Sequence, residues 1–280
     1  MNGSVTVLAT GALTTVQDLG RPGQAALGIG RSGACDRSSY QLANRLVGNP
    51  ENAAALEVTF GGLRLRANQD LVVATTGARC VGGFAHNAPT SIPAGYELQL
   101  GTPVSGLRTY LAVRGGLMTD LVLGSRSTDV LSGLGATPLR SGDVLPIGDP
   151  YLPPPGVDVA PVADPEGGSV TVRVSLGPRR DWFTDQAWAT LVGQAYIVSS
   201  DSNRVGLRLD GTPLERARTD ELPSEGMVRG ALQIPPSGKP VLFLADHPPT
   251  GGYPVIAYVD DHDVDTCGQL RPGQTLRLHP

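Results

Sequence analysis

Lysine is almost absent: of the 22 basic residues, 21 are arginine and one, Lys239, is lysine. Schiff-base chemistry needs a desolvated lysine amine, so it has a single candidate and no supporting motif. Cysteine is scarce too. Cys35, Cys80 and Cys267 form no CxxC pair and no even set, and the stretch MNGSVTVLAT lacks the charged and apolar regions of a secretory signal; both point to a reducing cytoplasm. No apolar run approaches the roughly 20 residues that span a bilayer. Charged residues make up 17%, with a net charge of −4 and no basic run interleaved with aromatics. That excludes general attraction to nucleic acid or to an anionic membrane. Apolar residues at 40% exclude a disordered chain.

What the chain has in quantity is turn residues. Its 37 glycines and 24 prolines are spread along 280 residues between short hydrophobic runs, the pattern of many short strands. Alternation of period two marks strands at residues 4–8, 56–60, 63–66, 107–113, 169–175, 241–244 and 254–259. Two segments break the alternation, each opening at an aspartate that can cap free amides and closing at a glycine: 36–47 before Gly48, and 181–192 before Gly193. These are the expected helices. A phrase Gly-x-x-Leu-x-Leu/Ile recurs at 95–100, 142–147 and 273–278, reading as a turn that feeds a strand entering a closed barrel. The proline-rich stretch 149–168 reads as a linker and divides the chain into an N-terminal domain, 1–155, and a C-terminal domain, 165–280.

Several familiar site patterns fail on inspection. Gly28-Ile-Gly30-Arg-Ser-Gly33 satisfies GxGxxG, but no apolar strand precedes it and no βαβ unit follows. A Walker loop and a GxSxG elbow are missing. Asp260, Asp261, His262, Asp263 and Asp265 lack the central glycine and spacing of a calcium loop, and read as a solvated loop capping a helical turn, with no metal. The informative stretch runs from Arg204 to Pro254, with Glu225, Gln233, Asp246, His247, Thr250 and Tyr253 beside glycine and proline turns. Such residues collect at the rim of a barrel, where a small polar or anionic substrate is held. His247 has the side chain best suited to proton transfer near neutrality.

The phrases Thr15-Val-Gln-Asp-Leu-Gly-Arg-Pro-Gly23, Ser32-Gly-Ala-Cys-Asp36, Leu42-Ala-Asn-Arg-Leu-Val-Gly-Asn-Pro50, Leu111-Ala-Val-Arg-Gly-Gly116 and Leu123-Gly-Ser-Arg-Ser-Thr-Asp129, with the 204–254 stretch, cover nearly the whole chain. Together they resemble the allophanate hydrolase subunit 2 family, which includes the C subunit of 5-oxoprolinase, the sporulation kinase-inhibitor antagonist and the carboxyltransferase domain of urea amidolyase. The resemblance implies a mainly β protein of two cyclophilin-like β-barrel domains with a few short helices. It also implies one component of an ATP-dependent hydrolase that opens the lactam 5-oxoproline to L-glutamate beside the A and B subunits of 5-oxoprolinase, with ATP and magnesium bound with a partner. On that reading Arg204 or Arg126 binds substrate carboxylate or phosphate, Gln233, Thr250 and Tyr253 contact substrate, and Glu225, Asp246 or His247 handles protons. The alternatives are carboxyl transfer from carboxybiotin to urea or a related amide, with biotin on a separate carrier because no attachment site lies in this chain, and a non-catalytic regulator that binds a kinase-inhibitor partner. Relatives commonly carry Gln-Thr-Thr-Gly-Gly-Tyr-Pro where this chain has Pro248-Pro249-Thr250-Gly251-Gly252-Tyr253-Pro254, so two polar positions have become proline.

Overall fold

The computed structural model describes residues 3–82 and 84–280. It separates into two compact units, the first built from the residues up to Arg21 with Ser32–Pro165, the second from Pro22–Arg31 with Glu166–Pro280.

In the first unit the elements in chain order are β1 (Ser4–Thr10), β2 (Leu13–Gln17), α1 (Arg37–Leu46), β3 (Ala55–Thr59), β4 (Leu63–Ala67), β5 (Leu71–Gly77), β6 (Pro89–Ile92), β7 (Glu97–Gln99), β8 (Arg108–Val113) and β9 (Val144–Pro146). They form two antiparallel sheets, β7-β4-β1-β9 and β2-β3-β8-β5-β6. In β4, Leu63, Leu65 and Ala67 are buried while Arg64 and Arg66 face solvent. That is the strand period of two resolved into a wet face and a core face. Strand β8 is buried at every residue because both its faces are covered. Leu111 and Val113 join the core shared with Val5, Val7 and Leu65, whereas Tyr110 and Ala112 pack with Tyr40, Ala43 and Leu46 of α1.

Helix α1 starts as its sequence demands. Asp36 accepts the Ser39 amide at 2.9 Å, a cap worth about 1 kcal/mol. The Asp36 amide in turn donates to the Tyr110 hydroxyl at 2.8 Å, and that hydroxyl donates to Glu57 at 2.8 Å. Burial, then the charges of Glu57 and Asp36, push the Tyr110 phenol well above its ordinary range, so it stays a neutral relay between helix and sheet. Gly33 has φ +97°, and a Cβ there would stand 2.9 Å from the Gly20 amide nitrogen. Only glycine serves both conditions.

The second unit contains β10 (Ser169–Leu176), α2 (Asp185–Gly193), β11 (Ala195–Val198), β12 (Gly206–Asp210), β13 (Glu225–Gly226), β14 (Ala231–Gln233), β15 (Val241–Phe243), β16 (Thr250–Gly251), β17 (Val255–Val259), α3 (Asp261–Cys267) and β18 (Thr275–His279). Seven strands close a barrel in the order β10-β17-β14-β15-β12-β11-β18, sealed by the parallel pair β10–β18. Closure removes the sheet edges. The core is apolar, with Val170, Val172, Leu207, Leu232, Leu242, Ile256 and Leu276 all buried within it. A short ribbon, β13–β16, lies outside the barrel's hydrogen-bonding circuit.

Mainly β content, the short helices and a closed barrel agree with expectation. Two local readings need correction. Asp181 does not cap the second helix: Arg180–Trp182 is a 3-10 turn, and α2 begins after Thr184, whose hydroxyl accepts the Ala187 amide at 3.0 Å. The helical turn expected at the acidic stretch is α3, which runs through that stretch itself, with Val264 and Cys267 burying one side of it. Gly95 and Gly142 lead into β7 and β9, the edge strands of an open sheet; only Gly273 feeds the closed barrel, through β18.

Candidate functional site

The loop that follows β15 gathers most of the expected side chains of the second unit. Asp246 is drawn back onto Arg204: guanidinium Nε and Nη2 each donate to one carboxylate oxygen at 2.9 Å. Their side chains are 0% and 1% exposed. Two side chains expected to act separately, one on substrate and one on protons, thus meet each other in a bidentate pair. The Asp246 amide also donates to the Arg204 carbonyl at 3.0 Å. The pair staples the start of the loop to the turn that enters β12. This geometry makes it a support for the rim.

His247 is next in sequence and buried. Its Nδ1 lies 2.8 Å from the Pro248 carbonyl, an acceptor, so Nδ1 carries the proton and Nε2 is the basic nitrogen of the neutral ring. The Phe243 ring lies 6.0 Å from the imidazole and holds its tilt. A proline at 248 therefore still supplies what orients His247, because the contact uses its carbonyl.

Further along, the Met227 amide donates to the Pro249 carbonyl at 2.9 Å, and β16 pairs with β13, setting Thr250 opposite Gly226 and Gly251 opposite Glu225. Gln233 Nε2 donates to the Tyr253 carbonyl at 3.1 Å. A Cβ on Gly251 would come 2.7 Å from that same Nε2. The Thr-Gly-Gly phrase is small because the Gln233 amide lies against it. Thr250 is exposed, and Tyr253 is half-exposed with the Arg216 guanidinium 5.8 Å from its ring centroid. That is cation–π range. Burial pulls the Arg216 pKa down while Tyr253 opposes it.

Glu225 has a partner that sequence reasoning did not supply. Arg179 donates through Nε at 3.0 Å and through Nη2. This hydrogen bonding holds the Glu225 carboxyl below the ordinary carboxylate range. A depressed carboxylate is a poor proton donor at neutrality. Arg179 and Arg216 were both missed; no motif marks them, since each acquires its neighbours only through the fold. Among the described residues no cluster of three or more His, Cys, Asp or Glu side chains is arranged to hold a metal ion.

Arg126 belongs to the first unit. Its amide donates to Asp18 Oδ2 at 2.6 Å, and its side chain lies half-buried with Nη2 3.7 Å from Met118 Sδ. The base of its loop is fastened by Asp18, whose Oδ1 also accepts the Gly20 amide and the Ser125 hydroxyl, each at 2.7 Å, and the Ser127 hydroxyl at 2.5 Å. Arg21, 1% exposed, adds a bond to the Ser127 carbonyl at 2.6 Å. Two of the quoted phrases, around residues 18 and 126, are therefore one buried structure.

Residues 27–280 match the family "Carboxyltransferase domain, subdomain A and B". The chain is 37% identical to the C subunit of Escherichia coli 5-oxoprolinase over 97% of its length and 89% of that protein. It is 31% identical to the corresponding C subunit of Haemophilus influenzae 5-oxoprolinase, covering 98% of this chain and 90% of that one. Among solved structures, the K. lactis urea amidolyase superposes with a TM-score of 0.91 at 31% identity, over 100% of this chain. The chain spans 19% of the length of that amidolyase.

Proposed function

The chain belongs to the carboxyltransferase-domain family of subdomains A and B, and from that premise we propose that it serves as the C subunit of a multi-subunit 5-oxoprolinase, opening 5-oxoproline to L-glutamate with ATP. The observation that carries the reading is identity of 37% reaching 89% of the length of the Escherichia coli protein of that name. The A and B subunits of such an enzyme are the proposed partners.

A lactam is a poor electrophile, and ATP, bound with its magnesium ion by the assembly, would activate the amide oxygen. This chain's residues would bind and position. Tyr253 and Thr250 present exposed ring and hydroxyl on one loop, and Gln233 fixes that loop from below. His247, with its basic nitrogen at Nε2, is the proposed proton acceptor. Arg204 and Asp246 hold the loop, and Arg126 stays a proposed anion contact in its own unit.

The test is ATP-dependent release of glutamate from 5-oxoproline by the purified chain alone, with its B partner, and with its A and B partners together. Activity only in the full mixture, cut at least tenfold by His247→Asn with an unchanged melting curve, is the expected result. Full turnover by the chain alone, or none in any mixture, overturns the reading. Carboxyl transfer to a urea-like amide is the second reading, favoured by the superposition on the K. lactis urea amidolyase. Urea with carboxybiotin in parallel assays separates the two.

A further inference from the structure

The three cysteines and one buried histidine take no part in the chemistry of the rim. Cys35 and Cys267 are both 0% exposed. Burial pushes the Cys267 thiol up to about 12, so it is inert at neutral pH. Cys80 is different. It is partly exposed, just beyond β5, and its Sγ lies 3.3 Å from the Thr109 hydroxyl oxygen. Thr109 donates its own proton to the Ala78 carbonyl at 2.5 Å, so across the 3.3 Å gap the thiol is the donor.

Cys80, His86, Thr75 and Thr109 line an enclosed cavity of about 10 Å³ in the first unit, closed by Phe84 and Leu100. That is room for about one water-sized molecule. The His86 side chain is 6% exposed. Its Nε2 is buried with no hydrogen-bond partner among the described residues. The nearest carboxylate oxygen, on Asp164, is 3.9 Å away, beyond hydrogen-bond reach. Burial keeps the imidazole neutral, outweighing the opposing pull of Asp164. A buried basic nitrogen with no protein donor, in a cavity wall shared with a thiol, is placed to accept from a small molecule that enters the cavity.

We propose that Cys80 is a peroxide-reactive thiol, with His86 as the base that takes its proton. The sulfur forms a bond to one oxygen of hydrogen peroxide as the O–O bond breaks. His86 Nε2 accepts the thiol proton and returns it to the departing hydroxide, giving a cysteine sulfenic acid and water. The oxidant is of matching size: a molecule scarcely larger than water enters where a bulky disulfide reagent does not. The same loop grips residues 160–164. The Ala160 amide donates to the Asn87 carbonyl at 2.7 Å, Asn87 Nδ2 to the Val162 carbonyl at 3.1 Å, and Arg79 to Asp164 at 3.1 Å. An added oxygen on Cys80 is therefore felt by that segment.

The experiment treats the full chain with hydrogen peroxide, traps sulfenic acid with dimedone and maps all three cysteines by mass spectrometry. Adduct at Cys80 well ahead of Cys35 and Cys267, which serve as internal buried controls, is expected, and His86→Asn or His86→Gln should slow it at least tenfold. An unmodified Cys80, equal rates at the three cysteines, or wild-type labelling in a folded His86 variant overturns the proposal. Should both variants unfold, the wild-type comparison with Cys35 and Cys267 still decides it.

Discussion

The two units solve the same problem, a short-stranded β structure rich in glycine, by opposite means. The second closes its sheet into a ring, fills it chiefly with apolar side chains and carries the buried ion pair Arg204–Asp246 beside it. The first leaves two separate sheets and binds its long loops with buried polar knots: Asp18 with Ser125 and Ser127, Glu57 with Tyr110, and Asn49 with Asn44 and the Val113 carbonyl. A closed barrel satisfies backbone groups by its own topology. An open one must fasten its loops with side chains, and a bond lost there is costly because the groups are buried.

The comparison breaks most sharply at Asp18. Asp18→Ala strands two hydroxyls and the amides of Gly20 and Arg126 in a site where Asp18 itself is only 6% exposed. Loss of about 3–5 kcal/mol is expected, read as a lower denaturant midpoint with unchanged slope. A loss under about 1 kcal/mol would mean the knot is decoration.

In the second unit the parallel test is Asp246→Ala, which leaves the Arg204 charge buried and should cost about 3 kcal/mol. Here the double variant Arg204→Met/Asp246→Leu is informative. An apolar pair can replace an ion pair in a barrel wall, so most of the loss should return. No such rescue is expected at Asp18, because its partners include main-chain amides that cannot be substituted away.

This difference also explains what the sequence disclosed. The first helix was legible because Asp36, its cap, and its apolar residues lie within one short window. The strands were legible for the same reason. The start of α2 was not: Asp181 and Thr184 are both capping residues, and the choice between them follows from the burial of Trp182 and Phe183. Arg204 and Asp246 looked like free reagents because they stand 42 positions apart and are brought together by the β12–β15 pairing. Asp18 looked like a loop residue, since its serine partners come more than 100 residues later. Local patterns survive in a sequence; partnerships made by topology do not.

A smaller effect separates the units by pH. His86 in the first unit has its pKa lowered, burial being the main cause, from an ordinary value of 6.5. The unfolded chain takes up a proton near that pH which the folded chain resists. The stabilisation is full above pH 6.5 and is lost as pH falls below it. Equilibrium unfolding from pH 7.5 to 5 should therefore slope less in His86→Gln than in wild type. Parallel curves would show that His86 is already solvated.

The smallest expected effect on stability lies at the outer ribbon of the second unit. Arg179 and Glu225 are 37% and 25% exposed at the side chain, so solvent screens their attraction and much of it disappears in salt. Hydrogen bonding from Arg179 lowers the Glu225 pKa from 4.5. The pair's contribution is present above pH 4.5 and fades as the solution is made more acidic than that. Glu225→Gln should leave the melting temperature at pH 7 within error and flatten the acid side slightly. Its consequence for turnover is sharper. A carboxylate ionised and held by arginine throughout the neutral range is no proton donor there, so Glu225→Gln should keep the shape of the pH–rate profile in the reconstituted enzyme. His247→Asn should abolish the limb that reports the catalytic base. If instead Glu225→Gln removes that limb while His247→Asn retains it, the proton carrier of this rim is the carboxylate, and Arg179 must release it when substrate binds.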